Sequence, residues 1–385
     1  MGEIDLANNQ LTDIYNLECL PALERLDVSF NHLEKLCTKP LQRLKELRLS
    51  YNRFRSFDAA AFPDLELLYV DGNYLMTVQG LEQCDRLEVL SLREQFADGP
   101  SDSAPTLDLD IGVMGELRKL YLSSNRLSAR TLQPSLPVRS LQLLDVASCG
   151  LRTIPSGFGK RFPNLRVLNL NFNALSDLSG IVGIRGLSRL TAVGNRVSRL
   201  RMVCQVVSRV GRVDPNGTSV LRSIDLRGNP LTVGFYSAPI TGNGRGEGPF
   251  KKLEYMRHQR KGSDDNGPEA LATIGGKRDI VVDQLDEEEK PADARGPEID
   301  DPYTVPPADA QADQKYRARL DESTKMRRKV LELMMYAGSG GAIQMLDGLE
   351  LKPILEEDWA EMTRIWDRLE ELGVLKRKED GENGL

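Results

Sequence analysis

Apolar residues recur along this chain on one beat. Leu23, Leu26 and Val28 precede Asn31 and Leu33; Leu44, Leu47 and Leu49 precede Asn52 and Phe54; Leu65, Leu68 and Val70 precede Asn73 and Leu75. The beat continues through Leu87, Leu90, Leu92 and Gln95, then Leu117, Leu120, Leu122, Asn125 and Leu127. Leu141, Leu144, Val146, Cys149 and Leu151 follow, then Leu165, Leu168, Leu170, Asn173 and Leu175. Leu187, Leu190, Ala192, Asn195 and Val197 come next, and Leu221, Ile224, Leu226, Asn229 and Leu231 end the series. A partial first unit holds Ile4, Leu6, Asn9 and Leu11, giving ten units mostly 21 to 24 residues apart. Within each unit the alternating pair is a short strand with both apolar side chains facing inward. The Asn that follows has two donors and an acceptor for the buried backbone of the next turn.

This is the leucine-rich-repeat pattern, and it predicts an α/β solenoid. Its strands form a concave parallel sheet, and a one-turn helix or 3₁₀ piece closes each short unit. One unit cannot bury its own face, so stability comes from stacking. Asn9, Asn31, Asn52, Asn73, Asn125, Asn173, Asn195 and Asn229 form the predicted ladder. Gln95 and Cys149 are expected to be weak rungs, with Cys149 a stand-in for Asn rather than a reactive thiol. Phe30, Tyr51 and Phe172, each just before an Asn position, read as packing. Two interruptions are expected to be loop tolerance: one between Gln95 and Leu117, the other between Asn195 and Asn229, with an outer helix near Met202–Val210. The solenoid takes in residues 1–237. It begins inside a repeat with no capping unit, which suggests a fragment of a longer protein.

Residues 238–312 turn to Gly, Pro, Asp and Glu, as in "DEEEKPADARGPEIDDP". Such a composition buries too little apolar area to offset ordering, and disorder is expected. Its apolar island "IVVDQL" is either a short docking motif or chance. Residues 313–385 read as a cap. Tyr316, Leu320, Val330, Leu331 and Met334 recur at near-helical spacing, with Gly338 ending the run. Ile343, Met345 and Leu346 supply a strand, and Asp347-Gly348 a turn. Leu355, Trp359, Met362, Ile365, Trp366, Leu369 and Leu372 share one face of a terminal amphipathic helix, a stripe better read as core. The cap strand should lie parallel to the last repeat strand, with Ile224 and Leu226 beside Met345 and Leu346.

Charge and chemistry narrow the function. The net charge is −6, with much of the acid after residue 260, which argues against a nucleic-acid surface. Five cysteines lie far apart without a CxxC pair, and only His32 and His258 are present, so no metal site is expected. The cysteine usage fits a reducing, intracellular compartment. No apolar stretch is long enough to cross a membrane. There is no Gly-rich phosphate loop, no GxSxG and no Cys–His arrangement; an open arc with no pocket chemistry reads as non-enzymatic, with no cofactor or small-molecule substrate.

Binding is therefore expected on the concave face. The central row there reads Asp5, Asp27, Arg48, Tyr69, Ser91, Tyr121, Asp145, Asn169, Thr191 and Asp225. The next row reads Ala7, Ser29, Ser50, Asp71, Arg93, Ser123, Ala147, Asn171, Val193 and Arg227. Arg48, Tyr69, Arg93, Lys119 and Tyr121 converge on one patch, with Asn169 and Asn171 farther along; arginines and aromatics are common interface anchors.

"YR" at Tyr316-Arg317, the apolar run to Met334 and "LDG" at Leu346-Asp347-Gly348 resemble the cap of phosphatase-regulator and splicing-type repeat proteins. The wider set "DLRGNPLTVGFY", "YTVPPAD", "KYRARLDESTKMRRKV", "MLDGLELK" and "WDRLEELGVL" is similar to the C-terminal repeat domain of fungal spindle pole body scaffolds of the septation initiation and mitotic exit networks, related to centriolin. The resemblance implies a scaffold in the cytoplasm and cytoskeleton, at the spindle pole body. It implies docking to a coiled-coil pole anchor and gathering of a Ras-like GTPase, its activating-protein complex and kinases. The alternatives are a protein phosphatase regulatory subunit and a splicing-type adaptor.

Overall fold

The structure is a computed structural model that describes residues 2–36, 39–96, 105–212, 219–236 and 303–353, together with Arg364, Ile365, Asp367, Arg368 and Glu371. The chain divides into two compact units, Met1–Ser237 with Pro307–Leu385, and Ala238–Pro306. Apart from 303–306, the second lies outside the described residues, as does the segment "IVVDQL".

In the first unit, twelve strands among the described residues form one sheet in strict chain order. They are β1 (Glu3–Asp5), β2 (Arg25–Asp27), β3 (Glu46–Arg48), β4 (Leu67–Tyr69), β5 (Val89–Ser91) and β6 (Lys119–Tyr121), then β7 (Leu143–Asp145), β8 (Val167–Asn169), β9 (Arg189–Thr191), β10 (Ser223–Asp225), β11 (Met345–Leu346) and β12 (Leu349–Glu350). Pairing is parallel from β1 to β11, and the register sets each inward Leu beside the next: Leu26 faces Leu47, Leu47 faces Leu68, and Leu144 faces Leu168. Leu47, Leu68, Leu90, Leu120, Leu168 and Leu190 are fully buried. Each such side chain contributes about 1.5–3 kcal/mol on removal from water. The fold is the leucine-rich-repeat solenoid.

Short helical pieces close the outer face: 3₁₀ turns such as Ala59–Ala61 and Leu81–Gln83, and one-turn helices α1 (Ala129–Leu132) and α2 (Phe158–Arg161). The interruption after Asn195 forms a longer outer helix, α3 (Leu200–Val207), with Val203, Cys204, Val206 and Val207 buried. The interruption after Gln95 is more than a loop: 97–104 are outside the described residues, but Leu107 bridges Leu127, and Leu107, Leu109 and Ile111 are buried in the core.

The cap chain holds two helices, α4 (Ala310–Arg319) and α5 (Glu322–Gly338), where the spacing read as one run. Two Asp side chains explain the break and the early start. Asp309 accepts from the Gln311 and Ala312 N–H groups, so α4 begins inside the segment assigned to the insert. Asp321 accepts from Thr324 N–H at 2.9 Å after Leu320 turns extended, restarting the helix. α5 packs on α3, and Gly338 lies against the Cys204 carbonyl and the Val207 side chain. Ile365 is buried against Val330, while Trp359 and Trp366 lie outside the described residues.

Candidate protein-docking face

The concave face is built by strand residues that point away from the core. Tyr69, Ser91 and Tyr121 occupy one row of β4, β5 and β6 in register. The Arg48 guanidinium lies over the Tyr69 ring at 5.1 Å and is held by Glu46 at 2.6 Å. One step along, Arg93 lies over the Tyr121 ring at 4.6 Å and donates to Asp145 at 3.0 Å. Beneath them Asp71 accepts from the Ser91 hydroxyl at 2.6 Å and the Arg93 N–H at 2.7 Å. Burial raises the Asp71 carboxyl above its usual range, against the pull of the Arg93 charge and these hydrogen bonds. The patch thus consists of two arginine–aromatic stacks fixed in place by carboxylates, a preformed arrangement. Lys119 sits half-exposed on β6, beside the second stack.

Asn169 and Asn171 do not belong to this surface. Both are buried: the Asn169 Oδ1 accepts from Asn171 N–H and from the Thr191 hydroxyl, and the Asn171 Oδ1 accepts from Val193 N–H. A short amide on a tightly stacked row is drawn into bonds with its own turn and with the next rung instead of reaching out. In their place stands a column that the sequence reading passed over. Leu67 and Val89, then Leu143 and Val167 beyond Lys119, precede the inward Leu on their strands and line the face beside the arginine–tyrosine row. Its signal in the sequence is an apolar residue at the position where earlier repeats carry Glu3, Arg25 and Glu46.

The turns after the strands carry the Asn ladder. Asn52 donates to the carbonyls of Val28 and Leu49 and accepts from Leu33 N–H at 3.0 Å. Asn73, with Leu49, Val70 and Phe54, and Asn31, with Leu6, Val28 and Leu11, make the same three bonds. Asn125, Asn173, Asn195 and Asn229 bridge their rungs likewise. Asn9 is exposed and bonds only its own turn. Gln95 reaches as far as an Asn would: its Oε1 accepts from Leu75 N–H at 3.0 Å and its Nε2 donates to the Val70 carbonyl at 2.9 Å. It is therefore a full rung. The Cys149 thiol donates to the Leu122 and Ala147 carbonyls, and burial pushes it up to about 12, so it stays protonated. Phe172 packs as expected, its ring over Gly194, where a Cβ would stand 2.9 Å away. Phe30 packs as well, stacked on the Tyr51 ring at 4.6 Å, although it stays 44% exposed.

At the far end, Leu346 is buried in the core beside Ile224, and Asp347 lies buried where the parallel sheet stops. Asp347 and Gly348 both have positive φ, 55° and 78°, the two-residue turn that fits a hairpin between β11 and β12. Tyr236 donates to Asp347 at 2.7 Å and lies under the Arg328 guanidinium at 4.5 Å. Arg328, itself buried, donates to both Asp313 oxygens and to the Phe235 carbonyl. Tyr316 is half-exposed, with its hydroxyl 3.5 Å from the Gly234 carbonyl.

Among the described residues, no group of three or more His, Cys, Asp and Glu is placed to hold a metal ion, and no helix is long and apolar enough to cross a membrane. The class of protein these features define is a capped leucine-rich-repeat solenoid with an open, arginine- and aromatic-lined concave face. Residues 139–197 match the family described as "Leucine rich repeat", and residues 3–41 that described as "Leucine Rich repeats (2 copies)". Among curated proteins, the chain is 30% identical over 176 residues to the septation initiation network scaffold protein cdc11 of Schizosaccharomyces pombe, covering 46% of this chain and 15% of that protein. It is 32% identical over 247 residues to human podocan-like protein 1, covering 60% of this chain and 44% of the relative. Solved structures that match include a leucine-rich-repeat protein of Leptospira interrogans, at 22% identity and TM-score 0.42, covering 60% of this chain and 67% of that one. An internalin of Listeria monocytogenes matches at 17% identity and TM-score 0.40, covering 60% and 74%.

Proposed function

We propose that this chain is a non-enzymatic docking scaffold, that its concave face takes a helical segment of a coiled-coil anchor protein, and that it works at the spindle pole body in septation and mitotic exit signalling. The observation that carries the docking reading is the pair of stacks, Arg48 on Tyr69 and Arg93 on Tyr121, prefixed by Glu46 and Asp145. Prefixed aromatic and arginine side chains lose little freedom on binding, which favours affinity at such a surface. The adjacent apolar pairs Leu67–Val89 and Leu143–Val167, with Lys119 between them, suit the apolar stripe of an amphipathic helix that carries an acidic residue. Placement at the pole is supported by the cap motifs of the sequence and by the similarity to the septation scaffold of Schizosaccharomyces pombe. On this reading the GTPase, its activating-protein complex and the kinases are gathered by the assembled scaffold. Arg48→Glu combined with Tyr121→Ala should abolish capture of the pole anchor in a pull-down and delocalise a fluorescent fusion from the pole, with the melting temperature kept. Unchanged capture would place docking elsewhere.

A further inference from the structure

The edge of the solenoid from which the strands start changes character halfway along. In the early repeats its charges answer one another across the rungs. Lys45 meets Glu24 at 3.3 Å, Arg25 meets Glu46 at 3.7 Å, Arg86 meets Asp64 at 3.7 Å and Arg118 meets Glu88 at 3.5 Å. After β6 the acids stop and the arginines continue. Residues 117–224 hold seventeen Lys and Arg against three Asp and Glu, a surplus of fourteen in a chain whose net charge is −6. Of those three acids, Asp145 is held by Arg93, Asp177 by the Ser179 N–H, and Asp214 lies outside the described residues.

Backbone bonds put the arginines in file. Arg166 N–H donates to Gln142, Ser188 N–H to Arg166, Arg222 N–H to Ser188 and Gln344 N–H to Arg222, each at 2.7–2.9 Å. Neighbouring rungs stand about 4.8 Å apart, so Arg166 and Arg222 are separated by roughly 10 Å. Arg139, one row back, is bonded through its carbonyl by Asn164, and Arg185 through its N–H to Pro163. Arg166, Arg185 and Arg222 are exposed and no described carboxylate lies within 4.0 Å of them; one Arg222 Nη donates to the Ala342 carbonyl at 3.1 Å, which leaves the rest of that guanidinium to solvent. Like charges on neighbouring rungs repel, and the early repeats show that this fold can carry complementary ones at the same positions.

We propose that the strand-entry edge of β7–β10, centred on Arg166, Arg185 and Arg222, docks an acidic polypeptide segment rich in Asp and Glu, laid across the rungs. The guanidinium fork takes a carboxylate through two parallel hydrogen bonds, and a row of forks matches a run of carboxylates. A nucleic acid or an anionic bilayer is the poorer fit. Either would extend past this edge over the early repeats, where residues 1–116 hold twenty-one Asp and Glu against ten Lys and Arg, a deficit of eleven. A short acidic segment touches the basic edge alone. This edge is separate from the Arg48–Tyr69 and Arg93–Tyr121 stacks, so it stands whether or not those bind a helix.

The test is fluorescence anisotropy on the full chain with a short fluorescein-labelled Glu/Asp-rich peptide and its Gln/Asn counterpart, at low and high salt. The acidic peptide should bind in a salt-sensitive manner and the amide peptide should not. Arg166→Glu with Arg185→Glu and Arg222→Glu should weaken binding at least tenfold, as reversal of steering charges does, while Lys35→Glu, at an exposed position of the early repeats, leaves it unchanged. These exposed arginines should be replaceable without loss of the melting transition. Equal binding of the acidic peptide by the triple variant would overturn the proposal. So would tighter binding of duplex DNA or phosphatidylserine vesicles that the same three substitutions abolish.

Discussion

The Leu226 N–H donates to the Asp347 carboxylate at 2.6 Å, where every earlier rung uses a backbone carbonyl. Leu6, Val28, Leu49, Val70, Leu92, Leu122, Val146, Leu170 and Ala192 each donate to the carbonyl of the central residue on the next strand. Asp347 stands at that central position but has turned left-handed, so its side chain accepts what its carbonyl cannot. The Asp thereby ends the ladder, and Gly348 carries the chain back as β12. Asp347→Ala leaves the Leu226 N–H and the Tyr236 hydroxyl buried without this acceptor. At about 1–3 kcal/mol each, a loss of about 2–4 kcal/mol is expected in denaturant unfolding. Asp347→Asn, which keeps the acceptor for Leu226 and can donate to Tyr236, should cost much less. Gly348→Ala should also be costly, because a Cβ there meets the Ala308 nitrogen at 2.7 Å and φ is 78°.

The same residue makes stability depend on pH. Burial, then the nearby Asp225 carboxylate, push Asp347 up to about 7, against the pull of Tyr236, Leu226 N–H and Arg227. The folded state thus binds a proton at this site more tightly than the unfolded chain, whose Asp titrates near ~3.9. This contribution is fully present below about pH 4 and is lost as pH rises through about 7. The difference in unfolding free energy between the natural chain and Asp347→Asn should therefore shift against the natural chain from pH 4 to pH 7. A pH-independent difference would show that Asp347 is ionised throughout.

The period of the Leu and Asn positions makes the solenoid legible in the sequence, because one spacing serves every unit. One residue out of register, with Leu346 facing Ile224, Met345 facing Ser223 and Leu226 beyond the last pair, the closing strand is legible as well. The hairpin strand β12 is not, since Leu349-Glu350 has no periodicity of its own and forms only because Asp347-Gly348 reverses the chain. The split into α4 and α5 was hidden because apolar spacing ran on through Leu320, while the stop depends on the Asp321 side chain. On the concave face, Arg48, Tyr69, Arg93 and Tyr121 were placed by register alone. The inward turn of Asn169 and Asn171 depends on contacts to the next rung that spacing does not encode. The shift from paired to unpaired charge along the edge becomes visible only once neighbouring rungs are set side by side.

The ladder gives a graded prediction. Asn73 is buried and makes bonds to Leu49, Val70 and Phe54. Asn73→Ala strands those backbone groups and should cost about 2–4 kcal/mol in thermal or denaturant unfolding. Asn9 bonds only within its exposed turn, so Asn9→Ala should stay within about 0.5 kcal/mol of the natural chain. Equal effects at the two sites would mean that the bonds between rungs add nothing.

Leu168 is fully buried and faces Leu144 on one side and Leu190 on the other. Leu168→Ala removes packing on both and should destabilise by about 2–5 kcal/mol, the range of buried Leu truncations. The measurement is the shift in denaturation midpoint at constant slope. A negligible shift would imply a different register for β8.

Arg328 gathers the cap around one guanidinium. It donates to Asp313 at 2.9 and 2.7 Å, to Glu332 at 3.2 Å and to the Phe235 carbonyl at 3.0 Å, over the Tyr236 ring. A lysine has one point charge and cannot form the paired bonds to Asp313 while covering the ring. Arg328→Lys should therefore loosen α4 and α5 together with the Phe235–Tyr236 segment, although the net charge is unchanged. Because each rung of a solenoid contacts only its neighbours, the loss should decay along the stack. Amide hydrogen exchange should rise in α4, α5 and β11, rise less in β10, and stay unchanged in β2–β6. Uniformly faster exchange across all strands would mean that the cap and the solenoid unfold as one cooperative unit, with Arg328 contributing to global stability and no local seal.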